Sequence, residues 1–317
     1  MQSGYAPILI TVYNRSIHFE KCINSLLGNY GSNETDVYVA VDYPYREEDI
    51  QENEKILSFC KKIEGFKSLT VIQRDKNVGA YNNLTLARDF LFEHNERLIF
   101  SEDDNIFSPY FLTYINDGLQ RYQDDSGVFA ICGYCPPVAV DPTIDVFFTP
   151  DCMPYGYGMW RSKFKDADLN SKTFFSFFSN PHVWFKYNNT MGDQHFMSLL
   201  AAKLRGKIFT DVAIGLHKYQ RKLVSLAPAQ SLVRNIGQDG SGLNSGINPA
   251  LQNQTLWSKD CAVDITKSNP KSTYIYEKNR VKYHRIPLLK KTLAYGLFHA
   301  YKIFLFVANL TKLTKND

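Results

Sequence analysis

Short apolar runs alternate with amphipathic stretches over the first hundred residues of the chain. The apolar runs have the composition of buried β-strands. They are Ile8–Val12, Val37–Val41, Leu69–Ile72 and Leu98–Phe100. Between them, apolar residues recur at the spacing of one helix face, in Phe19–Leu27, Asp49–Ile63 and Ala80–His94. This alternation of strand and helix predicts an α/β fold with a doubly wound, mostly parallel sheet of the Rossmann-like kind.

The second half of the chain has a less regular pattern. A helix is predicted over Phe111–Tyr122, and strands are predicted over Val128–Cys132 and Ile208–Ile214. Pro154–Trp160 is rich in glycine and aromatic residues, and Asn235–Gly242 is rich in glycine, so both segments are predicted to be loops.

Polar residues stand at the end of each predicted strand of the first half. Because ligands bind beyond the carboxyl ends of the strands in such sheets, we expect these residues to be neighbours in a binding site. They are Thr11, Tyr13, Asn14 and Arg15 at the first strand, Asp42 at the second, Arg74 and Asn77 at the third, and Glu102, Asp103 and Asp104 at the fourth. No GxGxxG pattern follows the first strand, which argues against a dinucleotide-binding site.

The polar end of the fourth strand is a run of three carboxylates, Glu102, Asp103 and Asp104. Adjacent acids repel one another unless a positive charge lies between them, and hard divalent cations take oxygen ligands of this kind. The triplet therefore predicts a divalent-cation site. The alternative is an acidic turn in a solvated loop.

The composition is that of a globular protein. Of the 317 residues, 44% are hydrophobic and 14% aromatic, which excludes a disordered chain. The six cysteines show no disulfide framework and favour a reducing compartment. Cys132 and Cys135 have the CxxC spacing but lie in an apolar run, and are predicted to be buried thiols rather than zinc ligands. Residues 1–7 have no signal-peptide pattern, so a cytoplasmic location is expected.

The net charge of +4 hides a basic C-terminal tail. Residues 267–317 contain eleven Lys and Arg residues and two acidic ones, so the rest of the chain is mildly acidic. The apolar stretch Leu293–Leu310 nearly reaches the length of a membrane span, but it contains His299 and Lys302. We therefore expect a helix that lies on an anionic membrane surface. The alternative is a helix pair that packs on the rest of the chain or forms a dimer contact.

Taken in order, these motifs resemble the family 2-like nucleotide-sugar glycosyltransferases of the GT-A fold. The likeness covers roughly residues 5 to 245 and lies in order and spacing rather than in any single motif. Two further segments, Gly156–Trp160 and Asn235–Gly242, look like those of bacterial members that build surface polysaccharide. The matching motifs are the Tyr13-Asn14-Arg15 strand end, Asp42, Arg74 with Asn77-Val78-Gly79, a DXD-type motif at 102–104, and Asp193 followed by a predicted helix.

The resemblance implies a role for each residue. A nucleoside diphosphate leaves the donor, and Mn²⁺ or Mg²⁺ held by Asp104 would stabilise its charge. His217 follows a predicted strand and is a further candidate ligand, although a lone histidine is more often structural. Asp103 would bind the ribose, and Asp42 would accept the imide N–H of uracil, so a UDP-sugar is the expected donor. The rest of the nucleotide pocket would comprise Thr11, Tyr13, Asn14, Arg15, Arg74, Asn77 and Gly79.

The resemblance also implies a general base and a domain plan. In inverting members a carboxylate deprotonates the acceptor hydroxyl, and Asp193 is the predicted base. Asp193 could instead cap the following helix, and Asp239 is the reserve candidate. Residues 1–265 would form the catalytic domain, with a nucleotide-binding half over 1–105 and an acceptor half over 106–265, and 266–317 would be the basic tail.

Other classes share parts of this pattern. A nucleotidyltransferase expects a glycine-rich loop after the first strand, where this chain has Tyr13-Asn14-Arg15-Ser16. A non-catalytic carbohydrate-binding protein would use the many aromatic residues but would not need the acidic triplet. A metal-dependent phosphohydrolase would show several histidines near its acids, whereas this chain has seven, mostly elsewhere. The expected partners are a nucleotide-sugar, a saccharide or lipid-linked acceptor and an anionic membrane surface, with no nucleic acid.

Overall fold

The structure is a computed structural model of the 317-residue chain. It describes residues 4–138, 140–151, 154–167, 181–192, 198, 210–242, 247–283, 285–297 and 300.

The first half alternates strand and helix as the sequence predicts. Each strand is short and largely buried, except for the edge strand β3, and each helix places an apolar face against the sheet or a neighbouring helix. In chain order the elements are β1 (Ile8–Val12), α1 (Ser16–Leu27), β2 (Asp36–Val41), α2 (Glu47–Cys60), β3 (Ser68–Gln73), α3 (Ala80–His94) and β4 (Arg97–Glu102).

The second half adds shorter elements. They are β5 (Asn105–Phe107), α4 (Phe111–Arg121), β6 (Val128–Cys132), β7 (Val146–Thr149), β8 (Tyr157–Trp160), α5 (Arg161–Lys165), α6 (Pro181–Met191), α7 (Thr210–Arg221), β9 (Val224–Pro228), β10 (Val233–Asn235), α8 (Pro249–Gln252) and α9 (Pro270–Tyr283). Residues 288–297 are also helical.

Eight of these strands form one sheet in the order β3-β2-β1-β4-β8-β6-β9-β7. The first four are parallel to one another, and β6 is parallel to β9. β8 runs antiparallel between β4 and β6, and β7 closes one edge antiparallel to β9. A separate two-stranded ribbon pairs β5 with β10. The predicted α/β fold with a large, mostly parallel sheet is therefore confirmed.

Two predictions for the second half are wrong. The segment 154–160 is not simply a loop, because residues 157–160 form β8 in the interior of the sheet. Gly158 is required there: a Cβ atom at this position would lie 2.6 Å from Cγ2 of Ile115 on α4. The strand predicted over 208–214 is helical from Thr210 onward, as part of α7. Its run of apolar residues fits one face of a helix as well as a strand.

The chain groups into two compact units. One comprises residues 1–167 and 220–277, and contains the sheet and its main apolar core. The other comprises residues 168–219 and 278–317, and within it the fully buried Arg280 donates to the carbonyl oxygen of Met191 at 2.8 Å. The division of function into 1–265 and 266–317 stays a prediction. In the described part of the chain, no helix is both long and apolar enough to span a bilayer.

Cys132 and Cys135 are free and buried, as predicted. Burial raises the pKa of the Cys135 thiol to about 12, so this side chain stays a neutral, packed thiol.

Candidate active site

The carboxyl ends of β1, β2 and β4 meet at one edge of the sheet. Thr11 of β1 lies opposite Ala40 in the pairing with β2 and opposite Glu102 in the pairing with β4. A cavity of about 410 Å³ lies at this edge. Its lining includes seven of the residues predicted for nucleotide or metal binding, namely Thr11, Tyr13, Asn14, Arg15, Asp42, Asp103 and Asp104. We call this space the donor pocket.

The centre of the donor pocket is an ion cluster between the end of β1 and the end of β4. Nε and Nη2 of Arg15 both donate to the carboxylate of Asp103, with Nε at 3.2 Å from Oδ2. Nη1 of Arg15 lies 2.9 Å from Oδ2 of Asp104. Glu102 is exposed, whereas Asp103 and Asp104 are buried. Arg15 therefore supplies the positive charge that the adjacent acids require.

A loop far along the chain completes the surroundings of Asp104. Nδ2 of Asn235, the last residue of β10, donates to Oδ1 of Asp104 at 2.6 Å. The N–H of Ile236 donates to the carbonyl oxygen of Asp104 at 2.8 Å. Gly237 then lies directly against the carboxylate of Asp104. The segment 235–242, predicted to be a flexible loop, is thus fastened to the acidic pair at its start.

The cluster shifts the pKa of its members. Burial raises the pKa of Asp103 to about 7; Arg15 opposes this rise and the charge of Asp104 adds to it. Burial alone would lower the pKa of Arg15, but the two carboxylates outweigh it and raise that pKa above its ordinary value. Arg15 is therefore a permanent cation in a site where one carboxylate is reluctant to ionise.

Asp42 holds the turn that precedes α3. Oδ1 accepts from the backbone N–H groups of Tyr43 at 2.9 Å and Val78 at 3.0 Å. Oδ2 accepts from the N–H of Gly79 at 2.8 Å and from Nδ2 of Asn77 at 3.3 Å. Gly79 has φ +80°, a conformation that favours glycine. The four bonds occupy the acceptor positions of the carboxylate, so Asp42 shapes this edge of the pocket through the turn. Asn77 and Gly79 belong to this turn and not to the pocket lining.

Tyr13 and Asn14 are fixed by an acid that the sequence analysis missed. The hydroxyl of Tyr13 donates to Oδ2 of Asp49 at 2.7 Å, and Nδ2 of Asn14 donates to Oδ1 at 2.6 Å. Nε of Arg46 also donates to Asp49, at 3.2 Å. Asp49 lies in the acidic first turn of α2, a position that a sequence reader assigns to the helix dipole. In this structure it orients the strand end that lines the pocket.

Arg74 is held beside the pocket by Asn83. Nε of Arg74 donates to Oδ1 of Asn83 at 2.9 Å, and Nδ2 of Asn83 donates to the carbonyl oxygen of Ala40 at 2.9 Å. Asn83 lines the pocket, whereas Arg74 does not. Asn83 was missed because an asparagine inside an amphipathic helix gives no sequence signal of its own.

The two predicted residues from the acceptor half have different outcomes. Asp193, the predicted base, lies outside the described residues. His217 lies within α7 rather than after a strand, and its side chain is buried. A role for His217 as a metal ligand stays a prediction.

The acidic pair does not offer a divalent cation a ready site as it is bonded here. Arg15 contacts both carboxylates, Asn235 takes Oδ1 of Asp104, and Gly237 lies against Oδ2. Within the described ranges, no three His, Cys, Asp or Glu side chains are grouped so that they could bind a metal. A cation would have to displace Arg15 from the two carboxylates.

No protein-family model and no curated protein matches this sequence. Among solved structures, a mannosyltransferase from Pyrobaculum calidifontis in complex with GDP-Man and Mn²⁺ is 15% identical with a TM-score of 0.35, and the match covers 51% of this chain and 46% of that one. S. aureus TarS 1–349 in complex with UDP-GlcNAc is 15% identical with a TM-score of 0.36, covering 52% and 48%. The chain thus spans about half the length of either structure. Sequence identities and TM-scores this low do not assign a function to this chain.

Proposed function

We propose that this protein is a glycosyltransferase of the GT-A type, which moves a sugar from a nucleotide-diphosphate donor to a hydroxyl group of a saccharide or lipid-linked saccharide. The observation that carries the proposal is the Arg15–Asp103–Asp104 cluster in a pocket at the carboxyl ends of parallel strands. A fixed cation beside a buried acidic pair suits a ligand that has both phosphate and hydroxyl groups.

The transfer requires that negative charge on the departing diphosphate be stabilised. Arg15 is positioned for this, because its guanidinium is held by two carboxylates and costs little reorganisation when charge develops nearby. Asp103 and Asp104 then orient Arg15, and Asp103 is also available to a ribose hydroxyl. Tyr13, held by Asp49, provides a ring at the pocket wall on which a base can stack.

The donor is proposed to be a UDP-sugar, and this choice rests on the resemblance. The resemblance predicts that Asp42 accepts the imide N–H of uracil, but four hydrogen bonds from the chain already occupy that carboxylate. We assign Asp42 to holding the 77–79 turn. Asp193 is the proposed base that deprotonates the acceptor hydroxyl in a single inverting displacement.

The tail is proposed to dock on the cytoplasmic face of an anionic membrane, where a lipid-linked acceptor for bacterial surface polysaccharide would lie. Leu289, Leu293 and Leu297 recur every fourth residue along the helical segment 288–297, and each is more than half exposed. Lys290 and Lys291 provide adjacent positive charge. Flotation with anionic liposomes, comparing the full chain with one ended after Lys282, tests this. Equal flotation of both chains would contradict it.

The transferase itself is tested with the full chain and a panel of UDP-, GDP- and ADP-sugars. We expect slow release of UDP from one UDP-sugar, and a rise in melting temperature with UDP. Asp103→Asn should reduce both the rate of UDP release and the rise in melting temperature with UDP. Asp36→Asn, which changes a half-buried carboxylate paired with Lys67 at the opposite end of β2, is the matched control. Pyrophosphate release from a nucleoside triphosphate would indicate a nucleotidyltransferase, and sugar binding without turnover would indicate a carbohydrate-binding protein.

A further inference from the structure

A second cavity, of about 920 Å³, lies beside the donor pocket. One wall is the exposed face of α1, and another is formed by residues of β10 and the segment 235–242. Arg15 and Ser241 line both spaces, so the two cavities adjoin each other at these side chains. If the donor pocket holds the nucleotide-sugar, this second cavity is where the acceptor approaches the donor. The assignment to an acceptor therefore rests on the proposed function.

Most charges in the second cavity are already paired. His18 and Asp239 lie 2.9 Å apart, and Ser241 donates to the other oxygen of Asp239. Glu52 accepts from Lys55 at 2.6 Å. Arg15 is held by the acidic pair of the donor pocket. Each of these groups therefore already has a partner within the protein.

Lys21 and Arg234 are different. Both line the cavity, and neither side chain has an ion-pair or hydrogen-bond partner among the residues that the structure describes. Lys21 is exposed on α1, whereas Arg234 is half-buried on β10. Nε of Arg234 is buried and donates to no acceptor in that part of the chain. A buried donor without an acceptor is costly, so this guanidinium is suited to a ligand that supplies an acceptor, and an anion matches its charge.

We propose that this cavity binds the acceptor through an anionic group, a phosphate or a carboxylate carried by the saccharide. Arg234 presents a planar fork that matches either group in two bonds, and Lys21 adds a mobile point charge. The polar side chains of Asn24 and Gln252 in the same lining suit the neighbouring sugar hydroxyls. A neutral saccharide would leave both cations uncompensated.

The test measures equilibrium binding to the full chain, so it does not depend on turnover. Glucose 6-phosphate and glucuronate are compared with glucose, each with and without saturating UDP. We expect both anionic sugars, or the one whose group fits, to bind on the order of tenfold more tightly than glucose, with or without UDP. The tighter of the two identifies the group as phosphate or carboxylate.

Two variants locate the binding. Lys21→Gln and Arg234→Gln should each remove most of the advantage of the anionic sugar while UDP still binds. Lys62→Gln removes an exposed positive charge outside the cavity and should change nothing. Because Lys21 is exposed, its variant folds even if the Arg234 variant does not, and melting curves check both.

The outcomes separate this inference from the proposed function. If glucose binds as well as the anionic sugars, if UDP displaces them, or if Lys21→Gln binds them unchanged, the anionic acceptor site is refuted. If the anionic sugars bind at Lys21 and Arg234 but UDP does not bind the wild type, the donor pocket is refuted and this site stands.

Discussion

Gly237 and Asp104 lie so close together that position 237 has no room for a side chain. A Cβ atom built on Gly237 would lie 2.0 Å from Oδ2 of Asp104 and 2.9 Å from Nη1 of Arg15. The residues are 133 positions apart in sequence. The segment after β10 is therefore fitted to the ion cluster, and glycine is required by the neighbouring carboxylate.

Replacing Gly237 with alanine should displace that carboxylate. We expect Gly237→Ala to cost about 1–3 kcal/mol of stability by overpacking, and to weaken UDP binding because Asp104 and Arg15 must move. Gly28→Ala is the control, since its nearest neighbour would lie 3.5 Å away, an ordinary contact. Melting and UDP titration measure both effects. Unchanged UDP affinity in Gly237→Ala would show that the segment does not shape the pocket.

Arg15→Ala leaves two buried carboxylates without a counter-charge. We expect a loss of about 3–5 kcal/mol, as for other broken buried ion pairs. Mn²⁺ alone should then raise the melting temperature of Arg15→Ala but not of the wild type, because the cation can enter only where Arg15 has left. Arg15→Lys keeps the positive charge but loses the two-bond geometry of the guanidinium, so its stability should lie between those of the wild type and Arg15→Ala. Stabilisation of the wild type by Mn²⁺ alone would mean that the acids are open to a metal with Arg15 in place.

The raised pKa of Asp103 predicts a pH dependence of a definite sign. Between about pH 4, its unfolded pKa, and pH 7, the folded protein binds more protons at this group than the unfolded chain does. The contribution of Asp103 to the free energy of unfolding is therefore largest below about pH 4 and is lost as the pH rises to about 7. The melting temperature of the wild type minus that of Asp103→Asn should fall from pH 4 to pH 7. A difference that rises instead would mean that pairing with Arg15 outweighs burial.

Asp193 and Asp239 are distinguished by turnover. Hydrogen bonds from Ser241, together with His18, lower the pKa of Asp239 to about 2, which makes it a weak base. We expect Asp193→Asn to reduce turnover by about a hundredfold or more with little change in UDP affinity. Asp239→Asn should leave kcat nearly unchanged. Normal turnover and a lower melting temperature for Asp193→Asn would indicate a helix cap instead.

The sequence predicts the first half of the fold well because its strands are short apolar runs and its helices have clear apolar faces. The edge at which Arg15 meets Asp103 follows from the order of the strands. That Arg15 itself supplies the charge between the acids could not be read from the pattern. It depends on side-chain conformations, and on Asn235 approaching Asp104 from a distant segment.

The strand β8 was missed because Gly158 and its aromatic neighbours are typical of a loop. Its pairing with β4 and β6 on its two sides gives the residues 157–160 their strand conformation. Such pairing is tertiary and leaves little trace in local sequence.

The position of β8 in the sequence also affects how the chain folds during its synthesis. Arg97 of β4 pairs with Trp160, so one edge of β4 has no partner until more than sixty further residues have left the ribosome. Until then Leu98, Ile99 and Phe100 form an apolar strand with an open edge, the kind of surface that recruits other nascent chains. Late closure by a distant strand slows folding as well. Production of this protein should therefore benefit from slow translation and from chaperones that cover exposed strands.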